Sequence, residues 1–360
     1  MIPWWRINFG DKEIAKISET IKNEHISQGP VTAEFERQVA ALIDVPYVTA
    51  TTSGSMAILM ALIAAGIKPG DRVLVPNRTW IATAHAVMLL GAKVTFVDVE
   101  PGRPVMDVSA VSDKIQPDTK AVIPVHMNGR AVHMPELTQL AQSRGLTVIE
   151  DAAQGFCSKN SHGYLGSQSF AGCFSMAMGK ILSTGQGGFV VTKDERTYNK
   201  LRMIRTHGVS DVINVNYTAM GFNFKFNDIL ASMGLIGTEA MSVRIERVKA
   251  IYQRYEAALV NIPFLKLIPV DVEAGELPIY IEALCPQRDK LIQFLAERGI
   301  QARPTHPNLN TAAYFNDSGN YPNSQLFSEQ ELVLPCGPDQ SPENVERVIE
   351  ALEAFKKVNQ

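Results

Sequence analysis

One lysine stands in an otherwise apolar and glycine-rich run, FSMAMGKILSTGQGGFVVT, from Phe174 to Thr192. Flanked by Met178, Gly179, Ile181 and Leu182, the Lys180 amine is poorly hydrated as a cation. Loss of hydration lowers an amine's pKa and leaves it nucleophilic. The same setting also suits a lysine whose stem crosses apolar ground to reach water. A second candidate is Asp151 in VIEDAAQ, which follows the apolar run LTVIE and so falls at the carboxyl end of a strand. A carboxylate there needs a partner, either the free N–H groups of a following helix or a cationic ligand. The third is TTSGSMA, residues 51–57, small hydroxyl residues and Gly54 between a strand and a helix. A helix start of this kind caps itself, or binds phosphate through its free N–H groups and dipole.

Taken together, the three meet the needs of pyridoxal 5'-phosphate (PLP). An amine bonds its aldehyde carbon, a buried aspartate keeps its pyridine nitrogen protonated so that the ring can accept electrons, and a turn binds its phosphate.

The elements that must position these groups are read from periodicity. From about Glu34 to Thr192, apolar β-type runs (YVTAT, RVLVP, KVTFVDV, KAVIPVHM, LTVIEDAA) alternate with helical ones (SMAILMALIAAGI, WIATAHAVMLLGA, PELTQLAQSRG). Such alternation predicts an α/β fold, a mostly parallel central sheet with helices on both faces, whose ligands gather where strands end. Beyond Thr238 the pattern changes to a long amphipathic helix, AMSVRIERVKAIYQRYEAAL, short strands around LKLIPV and PIYIEAL, and helices over RDKLIQFLAERG and PENVERVIEALEAFKKV. This predicts a large domain over 1–237, including the N-terminal segment, and a smaller α+β domain over 238–360.

Composition narrows the partners. With 34 basic and 37 acidic residues, net charge −3, there is no field to attract nucleic acid or an anionic membrane. The longest apolar stretch, Met56 to Ile67, falls short of the roughly 20 residues that span a bilayer. The start MIPWWRINFGDKE lacks the pattern of a secretion signal, so a cytoplasmic protein is expected. Cys157, Cys173, Cys285 and Cys336 are widely spaced and read as buried or free thiols, with no metal site among them.

In order along the chain these segments resemble the DegT/StrS-type nucleotide-sugar aminotransferases, PLP enzymes of the aspartate-aminotransferase (type I) fold. The resemblance runs nearly end to end: Gln28-Gly29-Pro30-Val31 through Phe35-Glu36, Ser53-Gly54-Ser55-Met56-Ala57, PNRTWIATA from Pro76, PVHMNG from Pro124, EDAAQ from Glu150, the lysine segment, and GFNFK from Gly221 to Lys225. It implies transfer of an amino group from glutamate to a keto sugar, with PLP alternating with its pyridoxamine form. Lys180 would bond the cofactor and move the proton. Asp151 would hold the pyridinium, Gln154 the phenolic oxygen, and Trp80 would stack on the ring. Ser55, the Met56 N–H and Ser175 would bind the phosphate, while Asn223 would reach the phosphate in a partner subunit, implying a homodimer with shared sites.

Some positions depart from the family pattern. Lys225 stands where arginine is usual, which weakens any bidentate grip on a donor carboxylate or sugar phosphate. Gln186 replaces a common glutamate, and Ser169-Phe170 a frequent Gly-Asp. The Pro-Leu-His element is not clear in THPNLNTAAYF, which leaves His306 without a defined substrate role, and His126 and His207 read as structural. Two rivals are a sugar dehydratase of the same fold, which in this family carries histidine at the lysine position, and a non-catalytic relative, which predicts losses in the cofactor site.

Overall fold

A computed structural model describes residues 1–209, 213–217 and 219–358. The strands are β1 (Tyr47–Thr51), β2 (Arg72–Pro76), β3 (Lys93–Val97), β4 (Thr119–Val122), β5 (Thr147–Asp151), a small hairpin of β6 (Lys159–Asn160) and β7 (Gly163–Tyr164), then β8 (Ala171–Ser175) and β9 (Gly188–Thr192). Seven of them form one sheet in the order β1-β9-β8-β5-β4-β2-β3. Neighbours from β8 through β3 are parallel, and β9 alone runs against the rest. Alternate residues explain the layering. Val73 and Val75 of β2 pack into one apolar cluster, and Leu74 between them into another. A sheet covered on both faces reads as the near-continuous apolar runs seen in the sequence.

The helix Gly54–Ala65 is apolar all round because it is buried all round, from Ala57 to Leu62 without a break. Among the described residues no helix is long and apolar enough to cross a membrane. The segment QGPVT begins the helix Pro30–Leu42, whose N-terminus is capped from far away: the buried Asp228 accepts the N–H groups of Gly29, Val31 and Thr32 at 2.8–3.1 Å.

The C-terminal layer is a four-stranded antiparallel sheet, β10 (Lys266–Leu267), β11 (Ile281–Leu284), β12 (Arg303–Pro304) and β13 (Glu331–Leu334), in the order β10-β11-β13-β12. Two differences from the sequence reading concern its limits. The expected boundary at 237/238 lies inside the helix Asp228–Glu239; the chain breaks step at Ala240, before the helix Met241–Leu259. The first residues, grouped by sequence with the large domain, lie instead along the C-terminal sheet, with Ile2 bridged to Ile300 and Trp5 to Cys336. Two buried ion pairs join the layers: Arg78, just past β2, with Glu331, and Arg130, past β4, with Glu282.

Candidate active site

Parallel strands end on one side of a sheet, so Thr51, Pro76 and Asp151 come to one edge, and the reversed β9 brings its first residue, Gly188, there as well. A cavity of about 590 Å³ opens at this edge and is closed on the far side by residues of the C-terminal sheet. Lys180, Asp151, Ser55, Trp80, Gln154 and Ser175 all line it.

Asp151 is 4% exposed. No helix follows it, so it caps none. Its Oδ2 accepts the Thr83 hydroxyl at 2.8 Å, and its Oδ1 the N–H of Ala153 at 3.1 Å. Burial raises its pKa, more than the Thr83 and Ala153 hydrogen bonds and the Lys180 charge lower it. Among the described residues it has no salt-bridge partner. A buried carboxylate in this state calls for a cation from the cavity.

Lys180 lies in the loop between β8 and β9, where its N–H donates to the Ala177 carbonyl at 3.0 Å. The residue keeps some surface toward the cavity, but protein surrounds the amine, and desolvation lowers its pKa to about 8, with Asp151 pulling it up and Arg303 down. The amine is thus partly neutral near physiological pH, as a nucleophile must be.

Close approach builds the helix start. A Cβ on Gly54 would stand 2.7 Å from the Cβ of Ser175, and one on Gly188 would meet the Ser53 backbone at 2.5 Å, so these positions exclude a side chain. Ser53 caps the helix by accepting the Met56 N–H at 3.2 Å. Met56 is therefore already partnered, while Ser55 and Ser175 face the cavity.

Trp80 is 62% exposed, which sets aside a core indole, and its ring lies 6.1 Å from that of His306 in an edge contact. Gln154 Oε1 accepts the Asn128 N–H at 2.8 Å, leaving its NH₂ as the donor. A stacking ring, a donor for a phenolic oxygen, a carboxylate needing a cation, a nucleophilic amine and a phosphate-sized helix start together fit PLP.

Gln186 and His306 line the cavity as well, and the other expectations fall outside it. Asn223 is exposed and pairs by backbone with Thr206; Lys225 pairs with Thr51 and does not line the cavity. His126 is buried and structural: Nε2 bonds Glu150 at 2.9 Å and Nδ1 accepts the Val132 N–H at 3.3 Å, which puts its proton on Nε2. His207 sits on an exposed turn at φ 55°. All four cysteines are buried and unpaired. Residues the sequence did not single out also line the site: Trp4, Thr83, Tyr280 and Arg303. Thr83 lay in the quoted segment PNRTWIATA and Tyr280 in the predicted strand PIYIEAL.

The sheet order, the poorly hydrated lysine of the β8–β9 loop and the buried aspartate at the end of β5 fit the class of PLP-dependent aminotransferases. The chain belongs to the DegT/DnrJ/EryC1/StrS aminotransferase family, whose sequence model matches residues 8–353. It is 29% identical to the spore coat polysaccharide biosynthesis protein SpsC of Bacillus subtilis (strain 168), over 97% of this chain and 95% of that protein. To the GDP-perosamine synthase of Escherichia coli O157:H7 it is also 29% identical, over 98% of each. Among solved structures, S. venezuelae DesV in complex with a ketimine intermediate superposes with a TM-score of 0.91 at 29% identity, over 96% of this chain and 94% of that one. The protein is a PLP-dependent sugar aminotransferase of amino-sugar biosynthesis, and the dehydratase alternative is not favoured.

Proposed function

We propose that the protein transfers the amino group of glutamate to a nucleotide-linked keto sugar, with Lys180 and Asp151 as its catalytic residues. The observation that carries this reading is the lowered Lys180 pKa in one cavity with the buried, unpaired Asp151. When bound, PLP supplies an electrophilic carbonyl and an electron sink that hold the amino group between the two substrates.

The chain's residues do the rest. Lys180 would hold the cofactor and, with its amine free, move a proton at the substrate carbon in each half of the cycle. Asp151, oriented by Thr83, holds the positive ring nitrogen; Gln154 donates to the phenolic oxygen, and Trp80 covers one ring face. Ser55 and Ser175 would take the phosphate at the helix start, where the Met56 N–H would first have to leave Ser53. Lys225, which lies outside its own chain's cavity, is assigned with Asn223 to a partner's site, as a point charge for a substrate anion. Asn223, exposed and outside its own chain's cavity, is assigned to a partner's phosphate, which makes the working unit a homodimer. Glutamate and nucleotide sugars are cytoplasmic pools, so the reading places the enzyme in the cytoplasm.

The test is spectroscopic and preparative. The loaded protein is expected to be yellow and to lose its visible band on adding glutamate alone. A panel of nucleotide-linked keto sugars, with products read by mass, then identifies the acceptor. A band indifferent to glutamate would reject the donor, and amination confined to free sugars or cyclitols the acceptor class.

A further inference from the structure

Burial keeps His306 neutral by lowering its pKa to about 3, and of the charged side chains in the cavity Lys180 and Asp151 are accounted for by the reaction and Glu282 by Arg130. Arg303 of β12 is not. It lines the cavity with its guanidinium carbon 3.4 Å from the centroid of the Trp4 ring, and among the described residues no carboxylate lies within ion-pair distance of it. The indole holds one face of the planar group and leaves its N–H edges open. Burial lowers the pKa of Arg303, and its charge in turn lowers that of Lys180, so the two cations share one space. Trp4 is held in turn. Its ring packs 5.9 Å from that of Tyr280, whose hydroxyl donates to the Gly179 carbonyl at 2.7 Å, beside Lys180.

We infer that Arg303 is the receptor for a carboxylate of the amino donor, with Trp4 as its positioning residue. The inference rests on the glutamate reading above and names the group that recognises this donor. A carboxylate offers two coplanar oxygens that a guanidinium grips as a fork, which the ammonium of Lys225 cannot do. The diphosphate of a nucleotide-linked acceptor has the same oxyanion chemistry. The donor is favoured because its carboxylates lie a few bonds from the nitrogen that exchanges with Lys180, whereas a sugar ring separates a diphosphate from the reacting carbon.

The test is binding, read by calorimetry on the cofactor-loaded protein. Glutarate, a dicarboxylate with no amino group to transfer, is one probe and inorganic pyrophosphate the other. Arg303→Met is expected to weaken glutarate roughly 10- to 100-fold, with pyrophosphate unchanged as a control for folding, and Arg303→Lys to recover part of the loss. Trp4→Ala is expected to weaken glutarate about threefold, and Trp4→Phe, which keeps a ring, to bind near wild type. Undiminished glutarate binding in Arg303→Met overturns the inference, as does a loss confined to pyrophosphate, which would put the guanidinium on the acceptor. The wild-type band response to glutamate is measured alongside. If it fails, the donor reading falls and the inference with it; if it holds while Arg303→Met binds glutarate normally, only the inference falls.

Discussion

Thr83 aims Asp151. The hydroxyl sits on the helix Ala82–Leu89 that follows β2, and it reaches the aspartate at the end of β5 across 2.8 Å. The orientation of the carboxylate is therefore set by a neighbouring connection and not by a helix of its own.

This relationship separates a catalytic Asp151 from a structural one. Its pKa is raised in the folded, cofactor-free protein, so between the unfolded value near 3.8 and the raised folded value the native state holds a proton that the unfolded chain gives up. Stability of the cofactor-free protein accordingly falls as pH rises through that window. Asp151→Asn removes this dependence. The cofactor-free variant is expected to melt no lower than wild type at neutral pH, yet to turn over roughly 10- to 100-fold more slowly. Thr83→Val should weaken cofactor binding and Thr83→Ser restore it. Thermal melts across pH, set beside turnover, decide; a melting loss large enough to explain the lost activity would make Asp151 structural.

Lys180 carries a second pH signature. With its amine near pKa 8, the neutral form grows as pH rises and is nearly complete by pH 9, where an ordinary lysine is still charged. Capture of PLP by the cofactor-free protein, followed by absorbance, is expected to accelerate through pH 8 and to level off by about pH 9. Acceleration continuing past pH 10 would indicate an ordinary amine. Lys180→Ala should still hold the cofactor through its phosphate while losing on the order of 10²- to 10⁴-fold in turnover.

Arg78 and Glu331 are both buried, and the guanidinium also bonds Thr305 and the carbonyl of His306 at 2.8 Å, so this pair pins the 303–306 wall of the cavity to the central sheet. Removing one partner leaves a buried charge, and Glu331→Gln or Arg78→Met is expected to cost about 3–5 kcal/mol. The double variant Arg78→Met/Glu331→Gln should cost clearly less than the sum of the single changes. Denaturant titration of the four proteins gives the coupling, and strict additivity would show that the pair is not a unit.

The shared-site proposal is open to complementation. Inactive Lys180→Ala chains mixed with inactive Asn223→Ala chains should form hybrids in which one of two sites is intact, recovering activity. With subunit exchange verified and each single variant impaired, a mixture that stays inactive would place Asn223 in its own chain's site.

The parts of the site legible in the sequence are those that local pattern writes. Asp151 ends an apolar strand, Lys180 interrupts an apolar loop, and Gly54 and the serines around it open a helix. Arg303 and Trp4 left no such mark, because they reach the cavity from parts of the chain far from the strand ends and ordinary residue types say nothing of which edge they will meet. Sheet topology was legible in class but not in detail. The sequence did not single out the run GFVVT as a strand, and its reversal depends on the return of the lysine loop between β8 and β9. The N-terminal WW pair looked like part of whatever followed it, and the pairing that places it on the opposite layer, Trp5 with Cys336, spans 331 residues.

That N-terminal arm has a mechanical consequence. The chain starts on the C-terminal sheet, crosses to the central body before the helix Asp11–Lys22, and returns through Ala240. A body tied at two separate points turns readily only about the line joining them, whereas one on a single tether also swivels. The buried pairs Arg78–Glu331 and Arg130–Glu282 bridge the same two layers and oppose that turn, so two crossings and two ion pairs together keep the wall that carries Arg303 in place across the cavity from Lys180.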